Sequence, residues 1–380
     1  MKKYYLMAPG PTPIPPEVLQ ALSRPILHHR TPEFEALFAR VRASLAELLE
    51  TRSEVLILAA SGTGAMEAAV VNLLSPGDEA LVVRCGKFGE RWGAICQAFG
   101  VTVHALDAPY GETVPPERVA AALRAHPAAR ALFATQSETS TGVLEDIEGY
   151  AALTRATDTL LVVDAVSSFG AVPCPMDAWG MDVVVTGSQK GLMCPPGLAF
   201  IALNDRAWRA ADRAACPRYY WDLRTERKWQ AKRQAQYTPA VSLLMGLDVA
   251  LGLIRAEGLP QVYRRHERLA RAMRGGAEAL GLTLFTRATP SPAVTALVSP
   301  AGLDGEAVVR AYGEQHNITI AGGQGEMKGR IFRLAHLGYV GEYDVIVGLA
   351  ALERVLAGLG APVELGAGVG AAQRLLVKEG

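Results

Sequence analysis

Net charge is what this 380-residue chain lacks: 38 Lys and Arg balance 38 Asp and Glu. Such a balance creates no field that favours nucleic acid or an anionic membrane. Long hydrophobic runs are missing too, and none approaches the ~20 apolar residues that span a bilayer. The opening segment, Met1-Lys2-Lys3-Tyr4-Tyr5-Leu6-Met7, is basic and then briefly apolar, with Pro9 close behind. It is too short for the core of an export signal, so the expected location is cytoplasmic. Cysteine is scarce. Cys85, Cys96, Cys174, Cys194 and Cys216 are odd in number and show no CxxC spacing. That argues against a disulfide framework or a zinc site and for reduced thiols.

Half of the chain is hydrophobic and a fifth charged, as in an ordinary packed protein. From about residue 54 to 203, short β-rich runs alternate with helical periods. Strands are expected at 55–58, 80–83, 101–105, 131–134, 160–163, 182–186 and 198–203. Helical patterns fall at 64–74, 88–99, 116–125 and 150–156. This alternation predicts an α/β fold with a mostly parallel seven-stranded sheet sandwiched by helices. Several strands are apolar throughout, as strands covered on both faces should be. Residues 205–233 are rich in Arg, Lys, Trp and Tyr, but the interleaved acids favour a surface or subunit-interface segment over a nucleic-acid contact.

A long helix at 261–280 then leads into an α+β region. Strands are expected near 282–286, 294–298, 318–321 and 331–334, helices near 305–312 and 342–356, and a tail helix after the Gly-rich residues 366–370. The expected division is a large domain over 16–250 and a smaller α+β domain built from 251–380 with residues 1–15 as an N-terminal arm.

Two residues carry most of the chemical information. Asp164 ends the run Leu160-Leu161-Val162-Val163, and Lys190 ends Gly187-Ser188-Gln189-Lys190, just past Val183-Val184-Val185. Two apolar strands thus deliver a carboxylate and an amine to the carboxyl edge of one sheet, where open α/β folds bind ligands. Alone, Asp164 reads as a helix cap and Lys190 as a snorkelling surface amine. Together they match pyridoxal phosphate, whose carbonyl forms a Schiff base with an amine and whose pyridine nitrogen is held protonated by a carboxylate. A lysine near its ordinary pKa of about 10.4 is a poor nucleophile; desolvation or a nearby cation lowers that value. The rival from another class is a nucleotide-binding or purely structural α/β protein.

Further groups gather at the same edge. Ser61-Gly62-Thr63-Gly64 follows the first strand and offers free N–H groups at a helix start, a seat for phosphate. Glu67 occupies the third glycine position of a dinucleotide fingerprint, and no Walker lysine follows. Phe88 could stack on a planar ring or fill a helix entry. The loop Gln136-Ser137-Glu138-Thr139-Ser140-Thr141-Gly142 is dense in hydroxyls. Arg333, inside an apolar strand, calls for either a substrate carboxylate or an internal acid. His336 and Cys194 read as structural residues.

With these residues in place, the chain resembles a fold-type I, class V pyridoxal phosphate aminotransferase, and within that family the alanine–glyoxylate and serine–glyoxylate (serine–pyruvate) group. The resemblance runs from Pro9-Gly10-Pro11-Thr12-Pro13 through Ser61–Glu67, Val163-Asp164-Ala165-Val166-Ser167-Ser168, Gly187-Ser188-Gln189-Lys190, Pro195-Pro196-Gly197 and Thr238-Pro239 to Arg333-Leu334-Ala335-His336. It implies that Lys190 is the Schiff-base lysine and proton shuttle, with Asp164 on the pyridine nitrogen. It implies Phe88 stacked on the ring, Thr139 near the ring oxygen, and Ser61, Gly62, Thr63 and Gln189 on the phosphate. Thr238 would reach the phosphate of the partner subunit of a homodimer, and Gly10 and Arg333 would bind the substrate carboxylate. One departure is Ala235, where some members carry a phosphate-binding Tyr; Gln236 and Tyr237 are the substitutes at hand. Other class V enzymes remain alternatives, namely an aspartate or phosphonate-type transaminase and a desulfurase or lyase. Phe88 and the lack of any Cys beyond 216 speak against the desulfurase.

Overall fold

The computed structural model describes residues 3–377; residues 1, 2 and 378–380 of the expected small domain lie outside the described residues. Seven strands form the main sheet: β1 (Val55–Leu58), β2 (Glu79–Arg84), β3 (Thr102–Asp107), β4 (Ala129–Thr135), β5 (Leu160–Asp164), β6 (Val183–Gly187) and β7 (Ala199–Leu203). Their order across the sheet is β1-β7-β6-β5-β4-β2-β3. Pairing is parallel from β6 to β3, while β7 runs antiparallel to both β6 and β1. The reversal has a simple cause. Only residues 188–198 join β6 to β7, a stretch without a helix and too short for a parallel crossover.

Both faces of the sheet are covered. One apolar cluster contains Phe34, Phe38, Leu132, Leu161 and Phe200, and the other Met66, Trp92, Phe133, Val162 and Ile201. Consecutive residues of β4 and β5 therefore belong to opposite cores, and the strands read as continuous apolar runs because both faces are dry. A third cluster joins the helices Leu259–Ala279, Gly305–His316 and Glu342–Gly358 to a second sheet and to Met7. That sheet consists of β8 (Val294–Val298), β9 (Ala321–Gly322) and β10 (Ile331–Ala335), in the order β8-β10-β9 and antiparallel throughout. The chain folds as α/β with a mainly parallel seven-stranded sheet and a smaller α+β part. No helix of the described residues is long and apolar enough to cross a membrane.

The 282–286 strand does not form. Those residues make one isolated bridge, Leu284 to Leu297, and then turn away as Arg287 N–H bonds to the Gly111 carbonyl at 2.8 Å. Two long helices, Pro32–Leu48 and Val241–Glu257, stand outside the periodicities read from the sequence. The second is apolar around most of its circumference, which blurs a 3.6-residue stripe. The first carries a usable start signal: Thr31 caps the Phe34 N–H and Pro32 opens the helix.

The outer edge of β1 is closed by a side chain. Gln230, fully buried, accepts from Ile57 N–H at 3.1 Å and donates to the Ile57 carbonyl at 2.7 Å and to Glu226 at 2.7 Å. Replacing it leaves a buried peptide group without partners. Gln230→Ala should lower the unfolding free energy by about 2–4 kcal/mol, read as the denaturation midpoint in urea; an unchanged midpoint would mean that water reaches Ile57.

Candidate active site

Five strand ends converge on one cavity of about 270 Å³. It is lined by Ser61, Gly62 and Thr63 after β1, Phe88 and Arg91 after β2, Ser137 after β4, Asp164, Val166 and Ser167 after β5, and Gln189 and Lys190 after β6, with Gly10 and Pro11 from the N-terminal arm. All lie at the carboxyl edge, the usual ligand side of such sheets.

The Asp164 carboxyl is 3% exposed. Its Oδ1 accepts the Val166 N–H at 2.7 Å, while Oδ2 receives no donor among the described residues. Burial pushes its pKa up to about 6, against the pull of that N–H. Lys190 is 9% exposed and its ammonium donates to the Pro9 carbonyl. Burial, followed by the charge of Arg333, drags its pKa down to about 8, with Asp164 opposing. Each charge is thus strained by desolvation in the direction that a bound cationic ring and a covalent bond to the amine would relieve. Gly10 sits at φ 145°, and a Cβ there would lie 2.5 Å from Lys190 Cε. Only glycine lets the arm pass this closely over the lysine.

Ser61 is the N-cap of helix Gly62–Leu73 but makes no side-chain cap bond, so its hydroxyl faces the cavity uncommitted. Gln189 Oε1 is a buried oxygen with no hydrogen-bond partner. Phe88 is fixed from below by Glu138, a fully buried carboxylate that accepts the N–H groups of Phe88 at 2.9 Å, Gly89 at 3.0 Å and Ser140 at 3.1 Å. At Gly86 any Cβ would meet Ser140 Oγ at 2.4 Å and Glu138 at 2.5 Å.

Thr139 lies behind the cavity wall, its hydroxyl 3.5 Å from that of Ser167. Arg333 also sits behind the lining. Its guanidinium donates to the Thr139 carbonyl at 2.5 Å and the Gly322 carbonyl at 2.7 and 3.0 Å, and no carboxylate pairs with it among the described residues. The internal acid weighed for it is absent; burial lowers its pKa to about 10, with Glu138 opposing. Thr238 is elsewhere in this chain, in a separate depression with Ala235, Tyr237 and Tyr220. Tyr237 stacks on Tyr220 with centroids 4.9 Å apart and accepts from Gln236 at 2.9 Å. His336 is bonded to Thr295 and the Pro292 carbonyl and is pushed to about 3 by burial, so it is structural. Cys194 is buried with its thiol raised to about 12.

Sequence reading passed over Arg91 and the anchoring function of Glu138. Arg91 was findable: it lies three residues after Phe88, one turn along helix Lys87–Ala98, and so on the same face. Glu138 gave no signal, since nothing local links it to the amides it holds fifty residues away.

These residues fit a pyridoxal phosphate group: a helix start with an idle hydroxyl, an underpartnered buried carboxylate and a desolvated amine in one cavity. The comparisons agree with that class. The aminotransferase class-V family model matches residues 4–330, and this chain belongs to that family. It is a pyridoxal phosphate-dependent aminotransferase. A Synechococcus protein named as the small subunit of a soluble hydrogenase is 46% identical over 379 residues, 98% of each chain. The L-aspartate–glyoxylate aminotransferase of Paracoccus denitrificans is 39% identical over 97% of this chain and 95% of its own. The pyridoxamine–pyruvate aminotransferase of Mesorhizobium loti superposes with a TM-score of 0.95 at 30% identity, over 100% of this chain and 98% of that one. The hydrogenase name belongs to that relative. Here the five cysteines are scattered and buried, and among the described residues no thiols gather as a ligand set.

The raised Asp164 pKa has a stability consequence for cofactor-free protein. Between about pH 4 and 6 the folded state keeps a proton that the unfolded chain has released, so stability falls as pH rises through that window. Asp164→Asn removes the effect. The stripped variant should be more stable than stripped wild type above pH 6 by about 3 kcal/mol, with the gap closing toward pH 4. Urea titrations at both pH values decide it, and a pH-independent gap would refute the assignment.

Proposed function

We propose that this enzyme transfers the amino group of alanine or serine to glyoxylate or pyruvate by a ping-pong route, as a cytoplasmic homodimer with shared active sites. The observation that carries the reading is that Asp164 and Lys190 line one small cavity while Arg333 waits behind it with only carbonyl partners. A cavity of about 270 Å³ that also takes a pyridine ring leaves space for a substrate of few carbons. The Paracoccus relative is named for glyoxylate and the Mesorhizobium structure for pyruvate, which supports these acceptors.

When bound, the cofactor supplies an electron sink that loosens the α-proton of the amino acid. Lys190 would carry that proton, since its depressed pKa leaves a fraction of free amine near neutrality. Asp164 would hold the pyridine nitrogen protonated. Phe88 would pack against the ring, Thr139 would serve its oxygen, and Ser61, Gly62, Thr63 and Gln189 would hold the phosphate. Thr238 of the partner subunit would add a hydroxyl to that phosphate. Arg333 receives the substrate carboxylate as a planar two-donor fork, with Gly10 giving clearance above the lysine. Isolated buried thiols suit a reducing compartment.

A panel of amino donors against glyoxylate, pyruvate and 2-oxoglutarate should give the highest kcat/KM for alanine or serine with one of the first two acceptors. A tenfold preference for 2-oxoglutarate would overturn the substrate assignment. Lys190→Ala should lose the near-visible absorption that borohydride bleaches and fall at least ~1000-fold in kcat; a variant near wild-type rate would remove the lysine from the mechanism.

A further inference from the structure

The phosphate seat described above is built from neutral donors. Ser61, Thr63 and Gln189 bring hydroxyl and amide groups, and Thr238 of the partner subunit would bring another hydroxyl. A helix start contributes roughly half a positive charge. A pyridoxal phosphate bears a phosphate close to a dianion, and a buried anion without a full countercharge is costly. The tyrosine that some family members supply is replaced here by Ala235, which is buried in the other depression.

Among the residues lining the cavity, two are cations, Lys190 and Arg91. Lys190 is held at the opposite task by the Pro9 carbonyl. Arg91 points at the seat: its Nη1 donates to Thr63 Oγ1 at 2.9 Å, and its guanidinium carbon lies 4.8 Å from the Phe88 ring centroid. No carboxylate lies within ion-pair distance of it among the described residues, although the other cation of the same helix, Lys87, is neutralised by Glu90. One arginine therefore touches both the helix start and the ring-stacking residue with its charge unspent.

We infer that Arg91 is a cofactor-binding residue of this chain, the cation that neutralises the phosphate through a charge-assisted hydrogen bond beside Thr63. The planar guanidinium suits this, since it can keep one N–H on the Thr63 hydroxyl, lie on the Phe88 ring and direct its remaining donors to phosphate oxygens. The inference rests on the cofactor assignment and extends it to a residue outside the proposed set. It also bears on substrate choice. With Arg91 committed to phosphate and Arg333 to the α-carboxylate, no cation of the cavity is left for a second carboxylate on the donor.

The test uses stripped apoprotein and two ligands that differ only in the phosphate, pyridoxal phosphate and pyridoxal, titrated by absorbance and intrinsic fluorescence. Arg91→Gln should weaken pyridoxal phosphate at least tenfold and pyridoxal less than twofold. Inorganic phosphate should raise the Tm of wild-type apoprotein and not that of the variant. Arg91→Lys, which keeps the charge and is the control for folding, should retain most of the preference for the phosphorylated ligand. Equal losses for both ligands would reduce Arg91 to a prop for Phe88, and unchanged affinity with a raised KM for aspartate would make it a substrate residue; either result overturns the inference. Failure of wild-type protein to form a borohydride-reducible adduct with either ligand would instead strike at the cofactor reading itself.

Discussion

Two opposite charges kept from water at the end of a parallel sheet govern this site. Asp164 and Lys190 are both buried, and each is shifted toward its neutral form by desolvation. Direct attraction between them offsets only part of that shift, since in both residues desolvation is the leading cause. The sheet tolerates this because the strands beneath are dry on both faces and locked in register: Asp164 sits opposite Thr135 on one side and Val185 on the other. A strained carboxylate of this kind is stable only on a scaffold that cannot relax around it. The unfavourable solvation of the site is then relieved by a ligand carrying complementary charge, and affinity follows from strain already present.

The same logic extends outward through Glu138 and Arg333. Glu138 spends its carboxylate on three backbone amides and thereby sets the entry of the helix that bears Phe88 and Arg91. The acid is fully buried, and its pKa is raised by that burial against the lowering effect of its hydrogen bonds. Arg333 reaches from β10 of the smaller sheet to the carbonyl of Thr139, the residue next to Glu138. The two sheets therefore meet through a buried acid and a buried base that do not pair directly. A substrate carboxylate arriving at Arg333 would complete a charge relationship that the protein leaves open, coupling substrate binding to the contact between the two parts of the fold.

Much of this was legible in the sequence because the determinants are local. Six strands of the main sheet announce themselves as apolar runs, the edge strand Thr102–Asp107 being mixed, and the polar residues that follow them are candidates for the edge. Asp164, Lys190 and Ser61 are found that way, and Phe88 as an aromatic just past the strand Glu79–Arg84. What stayed hidden depends on distant pairing. The antiparallel course of β7 follows from a loop length, the Gln230 side chain completes β1 from 173 positions away, and Glu138 acts on amides fifty residues earlier. Helix Val241–Glu257 escaped because it is apolar around most of its surface, and the 282–286 segment misled because it pairs only briefly beside Ala296–Val298 before Arg287 turns away to the Gly111 carbonyl.

Charge bookkeeping also limits the chemistry open to the enzyme. A dicarboxylate donor needs two fixed cations in addition to whatever balances the cofactor phosphate, because a carboxylate moved into so dry a cavity without a partner would be protonated or expelled. The cavity and its rear wall hold three cations, Lys190, Arg91 and Arg333, and Lys190 is consumed by the reaction itself. If the phosphate claims Arg91, one cation is left for substrate, enough for the α-carboxylate of alanine, serine, glyoxylate or pyruvate.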